Sequence, residues 1–214
     1  MSIKAVIFDL DGVIVSTDEY HYQAWKKMAD EQKIYFDRKI NENLRGVSRM
    51  ESLEIILRKS EKKYSQEEKK QLAEFKNDYY KVLLNNLTPD DILPGVMKVL
   101  DTLKDNGIKV AIGSSSKNTV FILKQIGLAN YFHAVADGNG IKNSKPNPEV
   151  FLLAAKLLNM PPQNCLVVED ADAGVEAALA GGMEVIGVGS ASKNEKATFR
   201  MNDLTYFNID EIVK

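Results

Sequence analysis

Asp9 and Asp11 stand two residues apart at the end of the apolar run Ala5-Val-Ile-Phe8, and Gly12 follows them. In an extended chain such residues project to the same side, so both carboxylates can face one ligand, and Gly12 permits a turn without a Cβ. Two neighbouring carboxylates either bind a hard cation such as Mg²⁺ or divide the roles of nucleophile and acid/base. Aspartates that merely cap a turn would read the same way. Further along, Ser114-Ser-Ser-Lys-Asn118 follows a second apolar run, Lys109–Gly113, and opens a helical pattern. Hydroxyls and backbone N–H groups at such a junction suit a phosphate, and equally a simple helix cap. Lys145 sits in Ser144-Lys-Pro146, where the proline holds its backbone extended beyond a third run. Glu169 and Asp170 close a fourth run and would complete an oxygen-rich Mg²⁺ site, while Asp172 would cap the helix after them.

These residues need a scaffold that brings them together. Short apolar runs at Ala5–Phe8, Val110–Ile112, Ala134–Ala136, Leu166–Val168 and Val185–Val188 read as buried parallel strands. Helical patterns at Asn118–Ile126, Pro148–Leu158 and Ala173–Leu179 lie between them. Such alternation predicts a doubly wound α/β fold, a Rossmann-like parallel sheet whose site lies at the carboxyl ends of its strands. Each chemistry-bearing group follows its own strand, so all converge on one crevice. Two carboxylates, hydroxyls, one lysine and two more acids together suit phosphoryl transfer.

From Ser16 to Pro89 the strand signal disappears. Ser48-Arg-Met-Glu51 and Ser65-Gln-Glu-Glu68 both fit the capping box, and an apolar stripe at Leu72, Phe75, Tyr79 and Leu83 follows the second. The expected organisation is an α/β core over residues 1–15 and 90–214, with a small all-helical cap over 16–89 inserted after the first strand.

Lys and Arg number 28 against 30 Asp and Glu, which leaves no global field to attract nucleic acid or an anionic membrane. The charge run over Lys59–Lys70 reads as a solvated helical face. Cys165 stands alone in apolar surroundings, which excludes an intrachain disulfide and a cysteine-based zinc site and suits a core residue in a reducing compartment. The N-terminal apolar run breaks at Asp9, too short for a signal peptide, and no stretch approaches a membrane span. A cytoplasmic monomer acting on small molecules, with neither nucleic acid nor membrane as partner, is expected.

Asp9-Leu-Asp-Gly12, Ser114, Lys145-Pro146 and Glu169-Asp170 resemble, in order and spacing, the four motifs of the haloacid dehalogenase superfamily of phosphotransferases. The resemblance implies that Asp9 is the nucleophile that becomes an aspartyl phosphate and Asp11 the general acid/base. Ser114 and Lys145 would hold the transferring phosphoryl group. Asp9, Glu169, Asp170 and the backbone carbonyl of Asp11 would surround Mg²⁺.

Thr17-Asp-Glu-Tyr-His21, Trp25, Leu44-Arg-Gly-Val-Ser-Arg49, Lys76-Asn77 and Ser115-Ser-Lys-Asn118 are similar to the β-phosphoglucomutase subfamily. That similarity implies interconversion of β-D-glucose 1-phosphate and D-glucose 6-phosphate, with β-D-glucose 1,6-bisphosphate as intermediate and primer. Arg49 would clamp the non-reacting phosphate with Ser116 and Asn118. Gly46, Val47 and Ser48 would meet the sugar, with Thr17, Trp25 and Ser115 also lining the substrate site. His21 and Lys76 would couple substrate arrival to the placement of Asp11. Taken as helix residues alone, His21 is a boundary histidine, Lys76 a solvated lysine and Trp25 part of a cap core. Arg49 at a helix start opposes the helix dipole, which favours a phosphate role. Two residues depart from the subfamily pattern: Ala171 stands where a serine hydroxyl near the metal is common, and Ser16 where an aspartate is more usual before Thr17, in the linker expected to act as a hinge. A sugar-phosphate phosphatase and a non-catalytic sensor are the alternatives, the second opposed by the intact Asp9, Asp11, Lys145 and Asp170.

Overall fold

The computed structural model describes residues 3–44 and 47–212. Its sheet contains β1 Ala5–Phe8, β2 Lys109–Gly113, β3 Ala134–Ala136, β4 Cys165–Glu169, β5 Glu184–Gly187 and β6 Phe199–Arg200. The order is β3-β2-β1-β4-β5-β6, and every pairing is parallel. All five expected strands are present, in the doubly wound arrangement expected of them. The sixth, β6, was not expected; two residues are too few to show a period.

Register explains why the chemistry collects at one edge. Phe8 lies beside Ile112 on one side and Val168 on the other. One step further along each chain come Asp9, Gly113 and Glu169, with the Asp9 N–H donating to the Val168 carbonyl at 2.9 Å. Parallel strands in matched register therefore end together, and whatever follows them shares one mouth.

The chain divides into two compact units, Met1–Ser16 with Thr88–Lys214, and Thr17–Leu87. The second consists of helices α1 Asp18–Glu31, α2 Arg38–Glu42, α3 Arg49–Leu57 and α4 Gln66–Leu84. Both expected capping boxes form: the Ser48 and Ser65 hydroxyls accept from the Glu51 and Glu68 N–H, and those glutamates accept in return from the serine N–H groups. Trp25, Met28, Ile34, Phe36, Leu53 and Ile56 make the unit's core. The charge run is mostly solvated, with Lys62 paired to Glu68 at 2.9 Å, but residues 59–65 link α3 to α4 outside any helix, so only its second half is a helical face.

One expectation about α4 fails. Its buried face is Ala73, Lys76, Asn77, Tyr80 and Leu84, not Leu72, Phe75, Tyr79 and Leu83. Phe75 remains 42% exposed. Two polar residues occupy the buried face, so the apolar maximum of the helix lies about one residue away from the face that packs.

In the other unit α5 Val96–Asp105, α6 Thr119–Gln125, α7 Glu149–Leu157 and α8 Asp172–Ala180 follow successive strands, and α9 Ile209–Ile212 comes near the end. Phe151, Ala154 and Val175 pack with Ile7, Ala111 and Val167 into a core on one face of the sheet. Cys165 is buried there and its thiol is pushed up to about 11 by that burial, as suits a packing residue. Two further contacts, the Val15–Ile92 bridge and a bond from the Leu93 N–H to the Ile14 carbonyl, join the segments through which the chain leaves this unit and returns. Among the described residues no helix is long and apolar enough to cross a membrane.

Candidate active site

Lys145 is buried at the mouth of the sheet, its Nζ 2.5 Å from Asp9 Oδ1 and 2.7 Å from Glu169 Oε2. Burial opposes its charge, but Asp9 and Glu169 outweigh that effect and hold the ammonium above its ordinary value. Phe151 on α7 lies beneath it, with the ring centroid 4.5 Å from Nζ. Glu169 is 1% exposed, and burial, with Asp9 close by, pushes its carboxyl up.

Carboxylate oxygens of Asp9, Glu169 and Asp170 lie within 4.8 Å of one another. Three carboxylates against one ammonium leave an excess of negative charge in a buried place, and an all-oxygen donor set suits a hard divalent cation. These residues therefore fit Mg²⁺. The side chain of Asp11 is outside this cluster, so the ligand role implied for it would run through its carbonyl.

Two glycines make room for the acids. Gly12 adopts φ +86, and a Cβ there would come 2.2 Å from Asp170 Oδ2. At Gly174 a Cβ would come 2.1 Å from Glu169 Oε2. Glu169 Oε1 accepts from the Asp170 and Ala171 N–H at 3.2 and 3.1 Å, which anchors it across the start of α8. Asp172, expected to cap that helix, does not: Ala171 is the N-cap, without a side-chain cap, and Asp172 accepts instead from Asn194.

Ser114 is buried beyond β2, its N–H donating to the Ala136 carbonyl. The Ser114 and Ser116 hydroxyls accept from the N–H groups of Ser116 and Asn118 at 3.1 and 3.2 Å. Those two amides are thus engaged within the loop, whereas the expectation had them free for phosphate. Ser115 Oγ, by contrast, is buried and makes no hydrogen bond among the described residues. A buried hydroxyl in that state calls for a ligand or water.

A second polar cluster lies inside the helical unit. Lys76, read from its helix as solvated, is 2% exposed. Its Nζ lies 2.9 Å from His21 Nδ1 and over the Tyr80 and Trp25 rings, at 4.3 and 4.9 Å. An ammonium only donates, so Nδ1 accepts and His21 is the neutral Nε2–H tautomer. Burial, then the charges of Lys76 and Arg49, hold the imidazole well below its ordinary value. The His21 and Tyr80 rings are 4.2 Å apart, and Tyr80 OH shares a 2.7 Å hydrogen bond with the buried Thr17 hydroxyl. Trp25 is both core and one wall of this cluster. Arg49 is half-buried at the first position of α3, where burial lowers its guanidinium. Val47 is exposed and Ser48 caps α3, while Gly46 lies outside the described residues.

Sequence reasoning missed Tyr80 and Phe151. Tyr80 follows Lys76 by one helical turn, a spacing that would have flagged it had the polar face of α4 been taken as the buried one. Phe151 carries no signal apart from the apolar pattern of α7.

The haloacid dehalogenase-like hydrolase family model matches residues 3–182. The β-phosphoglucomutase of Bacillus subtilis (strain 168) is 47% identical over 189 residues, 87% of this chain and 84% of that protein. A phosphorylated carbohydrates phosphatase of Thermotoga maritima is 31% identical over 215 residues, 99% and 97% of the two chains. Among solved structures, β-phosphoglucomutase from Clostridium difficile superposes with a TM-score of 0.92 at 45% identity, covering 98% of this chain and 95% of that one. With the acids, the lysine and the serine loop all set at the mouth of one parallel sheet, and with a model that spans most of the sequence, the chain belongs to the haloacid dehalogenase-like hydrolase family.

Proposed function

We propose that this protein is a phosphomutase that interconverts β-D-glucose 1-phosphate and D-glucose 6-phosphate. The observation that carries phosphoryl transfer is the buried Lys145 ammonium between Asp9 and Glu169. The likeness to β-phosphoglucomutases at 47% and 45% identity favours the mutase over a phosphatase.

Asp9 attacks phosphorus, the bond from phosphorus to the sugar oxygen breaks, and that oxygen takes its proton from Asp11. In the second half, the other sugar hydroxyl gives a proton to Asp11 and attacks the aspartyl phosphate, which frees Asp9. Lys145 and Ser114 hold the phosphoryl oxygens while charge develops on them. Asp9, Glu169, Asp170 and the Asp11 carbonyl would hold Mg²⁺, which when bound offsets repulsion between the carboxylate nucleophile and a phosphate dianion.

The attacking sugar is itself a monophosphate, so this second half yields β-D-glucose 1,6-bisphosphate, which leaves and rebinds in the opposite orientation before Asp9 attacks its other phosphate; the same molecule primes the enzyme. Arg49, Ser116 and Asn118 hold the phosphate that is not reacting. Thr17, Trp25, Val47, Ser48 and Ser115 line the sugar site, and Gly46 is assigned to it from the subfamily resemblance alone. The Lys76–His21 pair carries the arrival of substrate to Asp11, so that the aspartyl phosphate is spared from water until a sugar is present. The protein works as a cytoplasmic monomer on small sugar phosphates, without nucleic acid or membrane.

The test follows glucose 6-phosphate and free phosphate together, with Mg²⁺, β-D-glucose 1-phosphate and a trace of the 1,6-bisphosphate. Glucose 6-phosphate without matching phosphate release, abolished by Asp9→Ala, is the expected result. Stoichiometric phosphate instead would make this a sugar-phosphate phosphatase, the activity named for the Thermotoga maritima relative.

A further inference from the structure

Lys145 is delivered by an irregular segment between β3 and α7, and lysine side chains have four rotatable bonds. Something must fix the backbone from which that ammonium reaches Asp9 and Glu169. Glu149, the first residue of α7, turns its carboxylate back onto the segment that precedes Lys145. Its Oε1 accepts from the Lys142 N–H at 2.9 Å, and its Oε2 accepts from the Asn143 N–H, also at 2.9 Å. The Asn143 side-chain amide donates to the same Oε2 at 2.9 Å. Inside the ring so closed, the Asn147 N–H donates to the Ser144 carbonyl at 3.0 Å, and the Glu149 N–H donates to Asn147 Oδ1 at 3.1 Å. Lys145 lies within this ring of bonds.

An acid in the first turn of a helix has an ordinary explanation, attraction to the helix dipole. That explanation asks only for a negative charge near the helix amides. It does not ask for one oxygen on each of two successive N–H groups several residues upstream. The hydrogen bonds from Lys142 and Asn143 are also what hold the Glu149 carboxyl below its ordinary value, so the bonded form is the ionised one. Phe151, two residues further on the same helix, is the ring beneath Lys145 Nζ. One helix thus supports the lysine from below and grips the chain that carries it.

We propose that Glu149 is a positioning residue for phosphoryl transfer, a carboxylate clamp on Lys142 and Asn143 that sets where the Lys145 ammonium lies. The proposal rests on the phosphoryl-transfer reading given above. Glu149 touches neither the reacting group nor the acids around it; its effect passes through the backbone.

The experiment compares the parent with Glu149→Gln and Glu149→Ala, using acetyl phosphate with Mg²⁺ as the phosphoryl donor, so that sugar recognition does not enter. Glu149→Gln keeps one oxygen acceptor and places an amide donor against an N–H. The kcat is expected to fall about tenfold or more in both variants with KM within twofold, as expected when a group that acts on the transition state is displaced. Hydrogen exchange at the Lys142 and Asn143 amides is expected to quicken at least tenfold, while circular dichroism stays that of the parent. A kcat within twofold of the parent in both variants overturns the proposal, as does a kcat loss matched by loss of folded protein. A parent that turns over no acetyl phosphate would sink the phosphoryl-transfer reading instead, and unchanged exchange at the two amides would then sink the clamp separately.

Discussion

Among the described residues two lysines are buried, and each unit solves the problem differently. Lys145 in the α/β unit is set against formal charge, between Asp9 and Glu169. Lys76 in the helical unit lies on the acceptor nitrogen of a neutral imidazole and over two aromatic faces. Both arrangements stabilise a cation away from water, the first through opposite ions and the second through lone-pair and ring electrons. The difference fits what is proposed for each place. Opposed ions suit a group that must meet a phosphoryl dianion, where negative charge arrives and departs. A cation on π faces and a neutral histidine fits the coupling role proposed above for the Lys76–His21 pair.

Replacing each lysine by methionine separates the two solutions most sharply. Lys145→Met leaves Asp9, Glu169 and Asp170 together without their cation, and should cost about 3–5 kcal/mol in urea unfolding without metal. Lys76→Met puts an apolar chain of similar length among Trp25 and Tyr80, and should cost less than about 1.5 kcal/mol. Equal losses would erase the distinction. Added Mg²⁺ should recover part of the Lys145→Met loss and leave Lys76→Met unchanged relative to the parent.

The pH dependence of stability sharpens the second half of the comparison. Folded His21 binds its proton only well below its ordinary value. The unfolded imidazole protonates below about 6.5. Over that interval the unfolded state binds the extra proton, so this group's contribution to stability is full above about pH 6.5 and falls as pH drops towards the folded value. One proton corresponds to at most about 1.4 kcal/mol per pH unit. His21→Phe should flatten the unfolding free energy between about pH 6.5 and 5, and a slope equal to the parent's would mean that His21 is not held neutral.

Tyr80→Phe tests the hydroxyl of this cluster apart from its ring. It removes the hydrogen bond with Thr17 while leaving the ring against His21 and Lys76 in place, a loss of about 1–2 kcal/mol by thermal unfolding. A loss of 3 kcal/mol or more would mean that this hydroxyl, rather than the ring, organises the cluster.

The same contrast governs what the sequence reveals. Around Lys145 the signals are local and repeated: an apolar run, then acids, hydroxyls or a lysine, and matched register brings them to one edge. That site was therefore legible residue by residue, and so were the capping boxes at Ser48 and Ser65. Around Lys76 the usual inference from polarity to exposure runs backwards. Lys76 and Asn77 lie on the buried face of α4, so the stripe at Leu72, Phe75, Tyr79 and Leu83 misplaced that face and Tyr80 went unnoticed. Asp172 misled for another reason: Ala171 holds the N-cap position without a side-chain cap, and the Asp172 carboxylate is drawn to Asn194, a partner distant in sequence that no local pattern announces. β6 escaped because it is two residues long.

The Val15–Ile92 bridge and the Leu93–Ile14 bond hold side by side the points where the chain departs for the helical insertion and comes back. An excursion with adjoining ends imposes almost no length requirement on its contents, since loop-closure entropy grows only slowly with length. The sheet would close as well over a hairpin as over four helices. The α/β unit and the helical insertion can therefore be exchanged separately, like a handle fitted with different blades.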